Sequence, residues 1–100
     1  MIQGSTPLHI FRLPFSTDII YALRISYEQN KKIVLSKEID NVSLEENAVK
    51  LRLSQEETLL FDAICPCRIQ MHILTTGGDA VPSKIKTVPV HVLLDRRVIE

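Results

Sequence analysis

The feature that most constrains this chain is alternation of apolar and polar residues with period two, broken every few residues by Gly, Pro, Asn or Asp. The clearest run is the second, where Ile19, Tyr21, Leu23, Ile25 and Tyr27 share one face and Ala22, Arg24, Ser26 and Glu28 the other. Such a run suits a strand with one face on a core and one in water. A first strand is expected from Pro7 to Leu13, with Phe11 and Leu13 pointing one way and Leu8, Ile10 and Arg12 the other. Gln29-Asn30-Lys31 turns the chain into a third strand, Lys32 to Lys37, carrying Ile33 and Leu35. A short piece at Val42 to Leu44 precedes a turn at Glu45-Glu46-Asn47 and a strand from Ala48 to Leu53.

Ser54-Gln55-Glu56-Glu57 has the capping-box form, a hydroxyl three residues ahead of a glutamate, and predicts a helical turn through about Phe61. The turn reads as a corner between two sheets. Cys65 to Leu74 is the next strand, with Cys65, Cys67, Ile69, Met71 and Ile73 on one face. Thr76-Gly77-Gly78-Asp79 is a hairpin turn, since glycines supply the positive φ that tight turns demand. Val81 to Leu94 contains Pro82 and Pro89, so it is expected to be an edge strand or two pieces joined at a bulge near Thr87. The whole predicts one all-β domain over residues 1–100. Its expected form is an immunoglobulin-like antiparallel β-sandwich of about seven strands with one short helical turn. A small closed barrel is the alternative, and strand order is not readable from the pattern.

Composition narrows function by exclusion. Lys plus Arg equals Asp plus Glu, 12 against 12. A nucleic-acid partner would call for a basic excess, so none is expected, while near-zero charge makes self-association easier. Met1 to Ser5 has neither a basic stretch nor an apolar run behind it, and no run is long enough to cross a bilayer. The expectation is synthesis in a cytoplasm without a signal peptide, no membrane partner, and reduced cysteines.

No constellation of residues carries evident chemistry. Cys65 and Cys67 could form half of a zinc site, but His72 falls on the opposite face and zinc wants four ligands, so both thiols are expected to pack as small hydrophobes. His9 and His91 each sit alone between apolar residues. Gly77-Gly78 lacks the downstream residues of a phosphate loop, and the carboxylate pairs Glu45-Glu46 and Glu56-Glu57 lie beside turns. No catalytic residue, metal ligand or cofactor is therefore expected. What remains is surface. Leu8 and Ile10 lie opposite Phe11 and Leu13, so the first strand is apolar on both sides of its pleat, and Leu93 and Leu94 add apolar surface late in the chain. Either a loop covers Leu8 and Ile10 or a partner does, and these four residues are the candidate interface.

Several stretches carry a resemblance. Ile2-x-Gly4-x-Thr6-Pro7-x-His9-x-Phe11-x-Leu13-Pro14-Phe15, Leu53 to Thr58, Ile69 to Ala80, and Val88-Pro89-Val90 running into Leu93-Leu94-Asp95 together resemble small virion-module proteins of phages and prophages of Firmicutes. A looser likeness, of architecture only, is to the amino-terminal β-sandwich of phage baseplate upper proteins. The resemblance implies a non-enzymatic tail or baseplate component held by other virion proteins, with homo-oligomers as a further expectation and incorporation into the virion as its destination. It brings no catalytic or ligand motif with it. A small ligand- or carbohydrate-binding sandwich is the alternative, though with no Trp, two Tyr and three Phe the chain is poor in stacking platforms. A small enzyme or inhibitor is a third reading, one that a pocket with convergent polar groups would favour.

Overall fold

The computed structural model describes residues 1–100. It has eight strands: β1 (Leu8–Arg12), β2 (Ile20–Gln29), β3 (Lys32–Glu38), β4 (Ser43–Glu45), β5 (Ala48–Arg52), β6 (Cys67–Thr75), β7 (Ala80–Pro82) and β8 (Lys86–Val88). They form two antiparallel sheets. The small sheet has the order β1-β5-β4, and the large sheet runs β3-β2-β6, with β7 and β8 both on the far edge of β6. The result is an all-β sandwich that shares its two-layer plan with immunoglobulin-like domains and has its own strand order, β2 and β3 lying side by side in one sheet.

The chain crosses between layers three times: after β1, after β3 and after β5. The third crossing is the expected corner. Ser54 caps a single turn, α1 (Gln55–Thr58), and the capping box is complete, with the Glu57 side chain accepting from the Ser54 N–H. Lys37 of β3 forms an ion pair with Glu57, fastening the corner to the large sheet. Residues from both layers meet in one core, among them Leu23, Ile25 and Tyr27 of β2, Val49 and Leu51 of β5, and Ile69, Met71 and Ile73 of β6.

The β2–β3 connection is a two-residue turn with both Asn30 (φ 51°) and Lys31 (φ 66°) left-handed, the geometry whose twist matches paired strands. Departures from the alternation lie where one strand carries an extra residue. Between Ile20 and Ala22 the register against β6 shifts, so Ile20 turns inward while Ile19 and Tyr21, expected on the core face, point to solvent. Between Tyr27 and Glu28 the register against β3 also shifts. Val34 and Leu35 then pack on the core, and Ile33, expected to share the face of Leu35, is exposed.

The late edge breaks at Ser83–Ile85 rather than near Thr87. Ser83 explains the break. Its N–H donates to the Met71 carbonyl (2.7 Å) and its hydroxyl accepts from the Met71 N–H (2.9 Å), so the side chain completes the ladder as the backbone leaves it. Residues beyond Val88 form no strand, only a bridge of His91 to Ile2.

Irregular segments are held by buried amides. Gln29 donates to the carbonyls of Asp62 (2.7 Å) and Cys65 (2.9 Å) and accepts from the Asp62 N–H (2.7 Å), pinning the loop that follows α1. Gln3 donates to the Phe61 carbonyl and accepts from the Leu93 N–H. No buried side-chain polar atom is left without a partner. Gln29→Leu keeps similar bulk but orphans these backbone groups, each costing about 1–3 kcal/mol when buried and unpaired. Urea unfolding of this variant is expected to show a loss of about 2–4 kcal/mol with an unchanged m-value.

Candidate protein-binding cleft

The two sheets do not close on each other along one side. β1 is an edge of the small sheet, and β7 and β8 form an edge of the large one. Between them lies a cleft of about 770 Å³, lined along one wall by β1 and along the other by Val81 to Lys84, Lys86 and Val88. Its floor is apolar, with Leu13 and, from β6, Ile69, Met71 and Ile73.

The backbone of β1 is half paired. Leu53 donates to the Pro7 carbonyl (3.1 Å) and Leu13 donates to the Asn47 carbonyl (2.7 Å), so the odd-numbered residues of β1 face β5 with their hydrogen-bonding groups. By the alternation of an antiparallel ladder, the N–H and C=O groups of Leu8, Ile10 and Arg12 point away from β5, to the open edge. Other edges of the sandwich are guarded. β7 ends in Pro82 and β8 is followed by Pro89, β3 carries Lys32 and Lys37, and β4 has only three residues, one of them Glu45. β1 contains neither proline nor lysine, and its single charged residue is Arg12 at its end.

Of the four expected interface residues, Leu8 and Ile10 border this cleft, and their side chains are 42% and 45% exposed. No loop covers them; Arg52 and Lys50 of β5 lie opposite. Leu93 and Leu94 are elsewhere. Leu93 is half-buried and packs against Gly4, which has φ +77° and where a Cβ would collide with a Leu93 methyl carbon. Leu94 is 96% exposed and does not line the cleft. The alternation alone gave no sign that β1 would face β7 and β8, because that juxtaposition depends on strand order.

His9 anchors the cleft wall. Its Nδ1 is 2.7 Å from the hydroxyl of the fully buried Tyr27, and the two rings stack with centroids 5.6 Å apart. Burial, and then the positive charges of the amino terminus and Lys86, hold the His9 pKa below its ordinary value of 6.5. Burial is also the main reason the Tyr27 hydroxyl stays protonated well above its usual range.

The cysteines divide. Cys67 is buried in β6, and burial raises its thiol to about 11, which keeps it protonated and inert. Cys65, expected in the core beside it, lies ahead of the strand and is only half-buried. No group of three or more His, Cys, Asp or Glu side chains is placed to hold a metal ion. No helix is long and apolar enough to cross a membrane. No protein-family model, curated protein or solved structure matches the chain.

Two outcomes are expected. A histidine whose folded pKa is depressed binds fewer protons when folded, so its contribution to stability is full above about 6.5 and is lost as pH falls through that value towards the folded pKa. Thermal unfolding between pH 7 and pH 5 should therefore show a falling Tm, with a shallower slope in His9→Gln, which does not titrate. In native protein, a maleimide reagent should label Cys65 first, and Cys65→Ser should leave only the slow labelling of Cys67 that requires opening of the fold.

Proposed function

We propose that this protein is a non-enzymatic structural component of a phage or prophage particle, tail or baseplate associated, that works by protein–protein contact through the open edge of β1. The observation that carries the contact half of this reading is the unguarded β1 edge beside an apolar cleft. A strand with three residues' worth of free backbone groups and exposed Leu8 and Ile10 is suited to receive an extended segment from another protein. The particle half rests on the resemblance of the Ile2–Phe15, Leu53–Thr58 and Ile69–Ala80 segments to small virion-module proteins.

A second reading is favoured by the cleft itself. Its volume falls in the range of small-molecule sites, about 300–1,000 Å³, and its floor would suit an apolar ligand. A carbohydrate is less well served, because Tyr21 is the one strongly exposed aromatic side chain and stands without a second ring to make a platform.

The test has two arms. Mass spectrometry of particles purified after prophage induction should find the protein at fixed stoichiometry with tail proteins; its absence from particles, when abundant in the lysate, would remove the structural role. Leu8→Lys combined with Ile10→Lys places charge on already exposed positions, so the fold should persist while co-purification with tail proteins is lost. Unfolding of the double variant would make these side chains core and defeat the contact surface.

A further inference from the structure

The chain as a whole is electrically balanced, yet the cleft is not. None of the 17 residues that line it is Asp or Glu, while Arg12, Lys84 and Lys86 all do so. None of these three cations takes part in any of the ion pairs of the protein, which engage Arg24, Lys37, Lys50, Arg68 and Arg97 instead. Asp18 and Glu46 line an adjoining depression that shares Leu13, Pro14 and Phe15 with the cleft, and neither lines the cleft itself. Burial is the main cause of the depressed pKa of His9, and the amino terminus and Lys86 add to it as positive charges near the cleft wall. Single-sign charge around a low-dielectric trough concentrates field lines and attracts the opposite charge.

Resting on the strand-addition reading above, we infer that the partner segment is an acidic amphipathic strand, which pairs with the free backbone of Leu8, Ile10 and Arg12, covers the apolar floor with alternate side chains, and sets carboxylates against Arg12, Lys84 and Lys86. The backbone decides for a peptide over an anionic lipid, since a fatty acid would satisfy the cations and the floor but leave the β1 amides unpaired. The charge decides against a second copy of this chain, whose own β1 carries Arg12 and no carboxylate.

The probes are capped eight-residue peptides alternating valine or threonine with glutamate, their lysine counterparts, and sodium decanoate. Each is titrated into isotopically labelled full-length protein, with amide hydrogen exchange as the readout. The glutamate peptide should slow exchange at Leu8, Ile10 and Arg12 and bind at least ten-fold more tightly than the lysine peptide, with affinity falling as salt is raised. Lys84→Glu with Lys86→Glu, both exposed positions, should reverse that preference without changing the unfolding temperature by more than a few degrees. Equal protection by both peptides overturns the acidic partner and leaves strand addition standing. No protection by either peptide overturns both. Decanoate shifting Met71 and Ile73 while the β1 amides stay open transfers the site to a small anionic amphiphile. Dimerisation of the free protein with those amides protected makes a second copy the occupant, and either of these last results overturns the inference.

Discussion

The sandwich depends on what happens around Tyr27. Its side chain is fully buried, its ring meets Phe61 at 5.8 Å, and its hydroxyl reaches His9 across the gap between layers. One residue of the large sheet thus touches the corner after α1 and the edge strand of the small sheet. A hydroxyl buried without a partner would cost about 1–3 kcal/mol, so the bond to His9 removes a penalty that burying Tyr27 would otherwise carry. That bond holds β1 against β2 across the layers, at the flank where the small and large sheets leave their cleft.

The second organising device is the use of glutamine as a backbone staple. Gln29 holds the loop after α1, Gln3 joins the start of the chain to both Phe61 and Leu93, and Gln55 both donates to and accepts from the backbone of Ile99. Each amide offers a donor and an acceptor to chain that belongs to no sheet. A sandwich with short strands has much irregular backbone to satisfy, and these side chains do so where ladders do not reach. The flatness of the molecule, 17 Å in its shortest dimension, leaves little interior in which such segments could be buried by hydrophobic packing alone.

Much of this was legible in the residues because side-chain parity is a local property. The strand from Ala48, the strand expected from Cys65 that begins at Cys67, the turn at Gln29-Asn30-Lys31 and the Ser54 cap follow from neighbours a few positions apart, whereas the late edge splits at Ser83–Ile85 and not near Thr87. Three of the departures share one physical origin. A bulge adds a residue to one strand and reverses parity beyond it, so Ile19, Tyr21 and Ile33 lie on the side opposite to the one simple alternation predicts. Leu93 differs for another reason: it packs against Gly4, which is distant in sequence. Leu8 and Ile10 were legible as outward apolar residues, whereas the cleft they border was not, because it arises from β1 and β7–β8 ending up on the same flank.

The pairing of β1 has a consequence for the order in which the molecule can assemble. β2 and β3 adjoin through a two-residue turn, while the first strand finds its mate only at His9↔Leu51, some forty positions along the chain. Loop closure over that distance is slow compared with hairpin formation. A nascent chain leaving the ribosome therefore exposes Leu8 to Arg12 with both flanks unsatisfied until β5 emerges. During that interval the segment has no strand of its own chain to pair with.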